Sequence, residues 1–268
     1  TLFLWKLFAR TVGDRMHMGC MATAQTAGLL GLLAFAALAA GGPPALGPLV
    51  IALGLWFYLI PVFLIVLHRM LPFFSQGVIP NFRPPRSDWA LFLLSGGSML
   101  HGLLAWLDLP NWTWLVDLPA AFAAARLTWL WRLRESFGAK ILAVLHVAFA
   151  WAGIGFGLFG VHSLMVAGGL PGLTLAPIHA MTVGFASSTL IGMASRVTLG
   201  HSGRPIVGDR VMWTCFWAMQ AAALLRLAGE WQPLLNPAAA LVWWLAFAVW
   251  AWRYAPAYWR APGDGLHG

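Results

Sequence analysis

Apolar residues run along this chain in long blocks separated by short polar turns. A bilayer core about 30 Å thick asks for roughly 20 apolar residues per helix. Eight stretches meet or approach that length, near 20–40, 46–67, 89–107, 113–131, 139–162, 173–195, 211–228 and 236–255. Turn-forming residues stand between them: Gly41-Gly42-Pro43-Pro44, Pro80 with Pro84-Pro85, Pro110-Asn111, Gly168-Gly169 with Pro171-Gly172, and Pro233 with Pro237. The 113–131 stretch is interrupted by Asp117, Pro119 and Arg126. The pattern predicts an all-α, polytopic transmembrane bundle of about eight spans, with residues 1–268 forming a single integral membrane domain.

Lys and Arg test this assignment, because cytoplasmic loops carry their excess. Lys6, Arg10 and Arg15 precede the first span, whereas the 41–45 loop has no charge. The 68–88 loop carries Arg69, Arg83 and Arg86, the 132–138 loop Arg132 and Arg134 with Lys140 just beyond, and the 196–210 loop Arg196, Arg204 and Arg210. Arg253 and Arg260 close the chain on the same side, and the 108–112 and 163–172 loops have no basic residue. Arg226, beside Glu230, is the one break in the alternation. Both ends of the chain are therefore expected on the cytoplasmic side of a bacterial inner membrane. Residue 1 is Thr and no signal peptide opens the chain, so the segment is expected to be cut from a longer protein.

Composition agrees with a membrane protein: 60% of the 268 residues are hydrophobic, 9% are charged, and the mean hydropathy is +0.77. A soluble core of this size does not hide so much apolar surface. The 17 Trp and 17 Phe suit aromatic belts at headgroup level, or the lining of a flat cofactor pocket, with belts favoured. The net charge of +8 is spread over short loops rather than clustered, which excludes nucleic acid as a partner and leaves the lipid bilayer. Cys20 and Cys215 lie far apart with no metal-ligand spacing, so they read as two buried thiols.

Histidine is the chemical signal. A ring within hydrocarbon is costly unless it is hydrogen-bonded or ligated. His101, His146, His162 and His179 fall within or at the edge of spans, His17, His68 and His201 lie at cytoplasmic ends, and His267 is in the tail. Depth along the spans groups His101, His162 and His179 toward the outside and His68, His146 and His201 toward the cytoplasm, which allows two metal-bearing layers. Ala150, Gly153, Gly157 and Gly160 recur at helical spacing beyond His146, either as a groove for a porphyrin or as a close helix contact. Gly184, Ser188 and Gly192 form a similar row, read as helix packing. The eight carboxylates stay out of the middle of the confident spans, and Asp117 reads as a helix-start carboxylate satisfied by the dipole. No nucleotide loop, nucleophile elbow or His-Glu-x-x-His stands in the chain.

The most specific stretch is His179-Ala180-Met181-Thr182-Val183-Gly184, continuing to Arg196-Val197-Thr198-Leu199-Gly200-His201-Ser202-Gly203-Arg204-Pro205. It resembles the signature of the NnrS family, bacterial membrane proteins that contain haem and copper and are linked to nitric oxide. Arg69-Met70-Leu71-Pro72-Phe73-Phe74 is similar to the family's Arg-x-x-Pro-Phe-Phe segment, and Leu133-Arg134-Glu135 through His146 to Trp151 to its basic turn and His-bearing helix. The resemblance covers roughly residues 60 to 205. Family members are usually longer and bear an N-terminal Trp-His-x-His-Glu-Met-like motif that is missing here, so the chain resembles the C-terminal two-thirds of a member or a shortened one.

The resemblance implies haem and copper as cofactors and a role in the response to nitric oxide. It makes His146, His179, His201 and His68 the candidate haem ligands, with Arg196 and Arg204 as partners of propionates. For metal in general the candidates are His146, His179, His201 and His101. If the protein turns over a substrate, the class implied is a metal-dependent oxidoreductase acting on a small diatomic; neither catalytic residues nor an electron donor are readable. Two other readings stay open at this stage: a transporter or channel-like protein with pathway histidines, and a bis-His haem carrier of electrons from quinol.

Overall fold

The structure, a computed structural model, describes residues 1–85 and 87–259. Arg86, Arg260 and His267 lie outside the described residues. Every regular element among those described is helical. A short helix α1, Leu2–Arg10, precedes α2, Arg15–Ala39, whose start is capped by Asp14. A helical run α3, Leu46–Gln76, contains a π-helical section, Ala52–Leu59. Then come α4, Asp88–Trp106, α5, Trp114–Leu130, and α6, Lys140–Ala167. A run α7 over 176–201 joins Ala176–His179, a second π-helical section Ala180–Ser187, and Ser188–His201. The chain closes with α8, Arg210–Ala228, and α9, Leu235–Tyr254.

Among the described residues six helices are long and apolar enough to cross a membrane: α2, α3, α4, α6, α8, and α9 with its extension to Tyr258. The other two stretches predicted as spans are helical as well. α5 has 17 residues and carries Asp117 and Pro119 in its first half. α7 is divided by its π-helical section and is rich in hydroxyl and histidine side chains. The helices also outrun the sequence-based bounds: α3 continues past His68 to Gln76 through Pro72, and α7 reaches His201, so Arg69 and Arg196 stand on helices rather than in loops.

Two compact units divide the chain. One comprises Thr1–Met70, Pro85–Ala124 and Phe159–Gly172. In it, small residues let α3 approach two neighbours. A methyl group at Gly28 would lie 2.8 Å from the Tyr58 ring, and one at Gly102 would lie 2.4 Å from Trp56. Ala24, Ile65 and Leu91, from α2, α3 and α4, form an apolar core with Met16, Cys20, Met21, Val62 and Met99 around it.

The other unit comprises Leu71–Pro84, Ala125–Leu158 and the chain from Leu173 on. Its core gathers Ile141 and Val144 of α6, Ile191 and Leu199 of α7, Met212, Phe216 and Met219 of α8, and Ala246 and Tyr254 of α9. Helices α6 and α7 run antiparallel in a register fixed by three close approaches. Gly155 lies against Met181, Gly184 against Trp151, and Gly192 against Val144 and Leu145. Hydroxyl groups of α7 take indole N–H groups: Trp243 donates to Ser187 at 3.2 Å and Trp250 to Ser195 at 2.8 Å. Trp151 donates to Gln220, whose amide donates to the buried Ser188. These tryptophans are thus tied into the helix packing, while Trp129, Trp231, Trp252 and Trp259 are 74–87% exposed near helix ends, where a belt would lie.

The row Gly184, Ser188 and Gly192 is therefore a packing face, as its spacing predicts. A side chain at Gly192 would start 2.7 Å from Val144 and 2.8 Å from Leu145. Gly192→Leu should lower stability by about 1–3 kcal/mol through overpacking. Thermal or denaturant unfolding in detergent reads this; unchanged stability would mean that this face meets lipid.

Candidate functional site: the buried histidines

In the first unit, His101 of α4 and Asp117 of α5 form a buried pair. The His101 Nδ1–H donates to both carboxylate oxygens of Asp117, at 2.9 and 3.0 Å, and Asp117 is fully buried. Ser163 places the acid: its hydroxyl donates to the Pro110 carbonyl and accepts the Trp114 N–H, which caps the start of α5 and sets Asp117 in its first turn. The His101 ring lies against Trp56 and Phe159, with centroids 4.0 and 4.5 Å away. A carboxylate on one ring nitrogen is the arrangement that orients a metal-bound imidazole and raises its basicity. Asp117, expected only to meet the helix dipole, instead faces a histidine. His162 lies against Gly172 in the same unit.

At the start of α2, the His17 Nδ1–H donates to Asp14 at 2.8 Å, and His17 Nε2 faces His68 Nδ1 at 2.9 Å. The His68 Nε2–H donates to the Ser87 carbonyl at 3.2 Å. Burial alone would raise the Asp14 carboxyl. The hydrogen bonds from His17, with the charges of His17 and Arg69, outweigh it and hold the group below the usual aspartate range. His68, a candidate haem ligand, thus has one nitrogen on a carbonyl and the other against a second imidazole.

In the second unit, His146 is 1% exposed. Its Nε2 lies 3.0 Å from Ser75 Oγ, and the Ser75 hydroxyl spends its proton on the Leu71 carbonyl at 2.8 Å. Ser75 must then accept, so His146 carries its proton on Nε2 and a lone pair on Nδ1. That Nδ1 is buried without a hydrogen-bond partner. Of the glycines beyond it, Gly155 and Gly160 are filled by close neighbours, Met181 and Leu118, and Ala150, Gly153 and Gly157 are half-buried.

His179 stands at the first turn of α7, half-buried, with its Nδ1–H donated to the Leu175 carbonyl at 2.7 Å, which leaves Nε2 as the lone-pair side. Glu230 fixes this end of the helix by accepting the backbone N–H groups of Thr174, Leu175 and Ala176. Those bonds outweigh burial and hold its carboxyl below the usual glutamate range. The helical register separates the two leading ligand candidates. His146 is level with residues near 190 of α7, and His179 with residues near 157 of α6. Eleven residues at 1.5 Å per residue amount to about 16 Å, so these two rings are not the two axial ligands of one iron.

His201 is exposed at the end of α7, Arg196 stacks its guanidinium 3.7 Å over the Phe74 ring, and Arg204 keeps Nη1 buried without a hydrogen-bond partner. Among the described residues no group of three or more His, Cys, Asp or Glu gathers to hold a metal ion.

The sequence profile of the NnrS family, described as NnrS protein, matches residues 1–261. The chain belongs to the NnrS family. The match extends well beyond residues 60–205, where the motifs of that family stand. Membership together with the apolar helices makes the chain a multi-pass membrane protein of the nitric oxide response in general terms. No curated protein and no solved structure matches the chain.

Sequence reasoning passed over Asp14, His17, Ser75 and Asp117 as site residues. The spacing of Asp14 and His17, three residues apart at a helix start, was a visible signal; the 71 residues between Ser75 and His146 gave none. Removing one partner of a buried, hydrogen-bonded pair strands the other. Asp117→Ala and His101→Ala should each lower stability by about 3 kcal/mol, and the double variant should cost less than the sum by about 1–3 kcal/mol. A double-mutant cycle on unfolding in detergent measures the coupling; additivity would show that the pair does not act as one unit.

Proposed function

We propose that this chain is a haem- and copper-binding inner-membrane protein that protects the cell against nitric oxide or its iron–dinitrosyl products, with His146 as a haem ligand. One observation carries the reading: the buried His146 Nδ1, a lone pair with no hydrogen-bond partner. An orphaned buried nitrogen is costly in an apolar interior, and ligation by a metal removes that cost. The donor suits the group, because a neutral imidazole is a common haem ligand.

A bound haem would supply an iron that takes a diatomic ligand and exchanges electrons. The chain's own residues have separate tasks. Ser75 accepts the Nε2–H and so fixes both tautomer and ring direction, while Leu71 holds Ser75. Leu145 and Phe149, beside His146 on α6, are fully buried and help to keep water from the ring. Arg204 is the better placed of the two arginines to meet a propionate, because one of its N–H groups has no partner, whereas Arg196 is stacked on Phe74. His201 lies near the same end and is a weaker ligand candidate because it is exposed. His179, about 16 Å away in register, belongs to a separate place. Copper rests on the family resemblance, and the loop charges support a cytoplasmic position for both ends.

The optical spectrum and metal content of the purified protein test this directly. The wild type should show a Soret band, and His146→Ala should lose or shift it, with partial recovery on adding imidazole, which fills the vacated position. A wild type with neither Soret band nor copper would overturn the reading in favour of a transporter with pathway histidines, and a His146→Ala spectrum identical to wild type would overturn the ligand.

A further inference from the structure

Two helices of the second unit begin side by side, each on a cation. α6 opens on Lys140 with no acid in its first turn, and α8 opens on Arg210. The turn before α8 lies against the start of α6: a methyl group at Gly208 would be 3.0 Å from Lys140 Cβ and 3.2 Å from the Ile141 backbone nitrogen. Both cations are exposed, and both stand at the positive end of a helix dipole, which favours an anion and disfavours a cation. The carboxylates nearest in sequence are already taken. Asp209 accepts the Met212 N–H through Oδ1 and the Arg253 Nε–H through Oδ2, and Glu135 is paired with Arg132 at 3.2 Å. Among the described residues neither Lys140 nor Arg210 makes an ion pair.

The surface beyond these cations is aromatic. Arg210, Trp213 and Trp217 follow one another at i, i+3 and i+7, which places them on one face of α8. Trp213 meets both Phe137 and Trp217, with ring centroids 6.4 and 5.6 Å away. Phe137 and Trp217 are each 47% exposed. α8 is long and apolar enough to cross a membrane, and Trp213 and Trp217 lie about 5 and 10 Å along it from Arg210. Positive charge at headgroup level with an aromatic surface beneath it matches a phospholipid better than a free anion.

We propose that Lys140 and Arg210 hold the headgroup phosphate of an anionic phospholipid, with an acyl chain laid along Trp213 and Trp217. The ammonium and the guanidinium both donate charge-assisted hydrogen bonds to phosphate oxygens. A zwitterionic headgroup brings a cation of its own, which these two residues repel, so the site selects phosphatidylglycerol over phosphatidylcholine. Neither haem nor copper enters this inference, and it stands or falls apart from the proposed function.

The test is native mass spectrometry of the purified full chain in detergent, titrated with phosphatidylglycerol and with phosphatidylcholine of the same chain length. Wild type should bind phosphatidylglycerol more tightly by on the order of tenfold. Lys140→Gln and Arg210→Gln should each weaken that binding about fivefold, and the double variant should bind the two lipids alike while eluting as wild type on size exclusion. Arg132→Gln, at the same end but already paired with Glu135, should keep the wild-type preference. Inorganic phosphate in large excess should leave the lipid bound. No preference in wild type, a double variant that keeps it, or an equal loss in Arg132→Gln would overturn the site. Displacement of the lipid by inorganic phosphate would overturn the lipid as its occupant in favour of a free anion.

Discussion

Hydrocarbon has no hydrogen-bonding group to offer a buried imidazole, and that constraint shapes the polar interior of this protein. Each buried ring whose partners are described finds an acceptor on a neighbouring element: Asp117 for His101, Ser75 for His146, and Ser87 for His68. An acceptor settles which nitrogen is protonated, and so which nitrogen keeps its lone pair. The pattern of acceptors thus decides what each histidine has left to give. His146 keeps Nδ1, which has no hydrogen-bond partner, whereas His17 and His68 meet each other.

The same need for partners organises the helices that carry these rings. Serines along α7 take the indole N–H groups of Trp243 and Trp250, and Gln220 links Trp151 to Ser188. Small residues at Gly155, Gly184 and Gly192 bring α6 and α7 close enough for such bonds to form, and they fix the register between the helices. Register in turn keeps His146 and His179 apart, because a helix advances about 1.5 Å with every residue. Neither ring can approach the other without shifting α6 along α7 by several turns, against the close contacts at Gly184 and Gly192.

Much of the fold was legible in the sequence because apolar blocks of about twenty residues have one stable solution in a bilayer. The row Gly184, Ser188 and Gly192 was legible for a similar reason, since period and residue size are both written along the chain. What lies across helices was not. Nothing local to His146 points to Ser75, and nothing local to His17 points to His68, 51 positions away. Asp117 was underread because a carboxylate in the first turn of a helix already has a sufficient local explanation. The π-helical sections in α3 and α7 each hold one glycine, Gly54 and Gly184, and no proline, which does not set them apart from the regular helices in the sequence.

The central claim is that Ser75 holds the buried His146 ring in one tautomer, with Nδ1 left without a hydrogen-bond partner. Nitrogen NMR of the metal-free protein, labelled in its histidine rings and reconstituted in lipid, reads this most directly. His146, identified by the signal lost in His146→Ala, should be neutral with its proton on Nε2 and Nδ1 bare. A proton on Nδ1, or a charged imidazolium at neutral pH, would contradict the account.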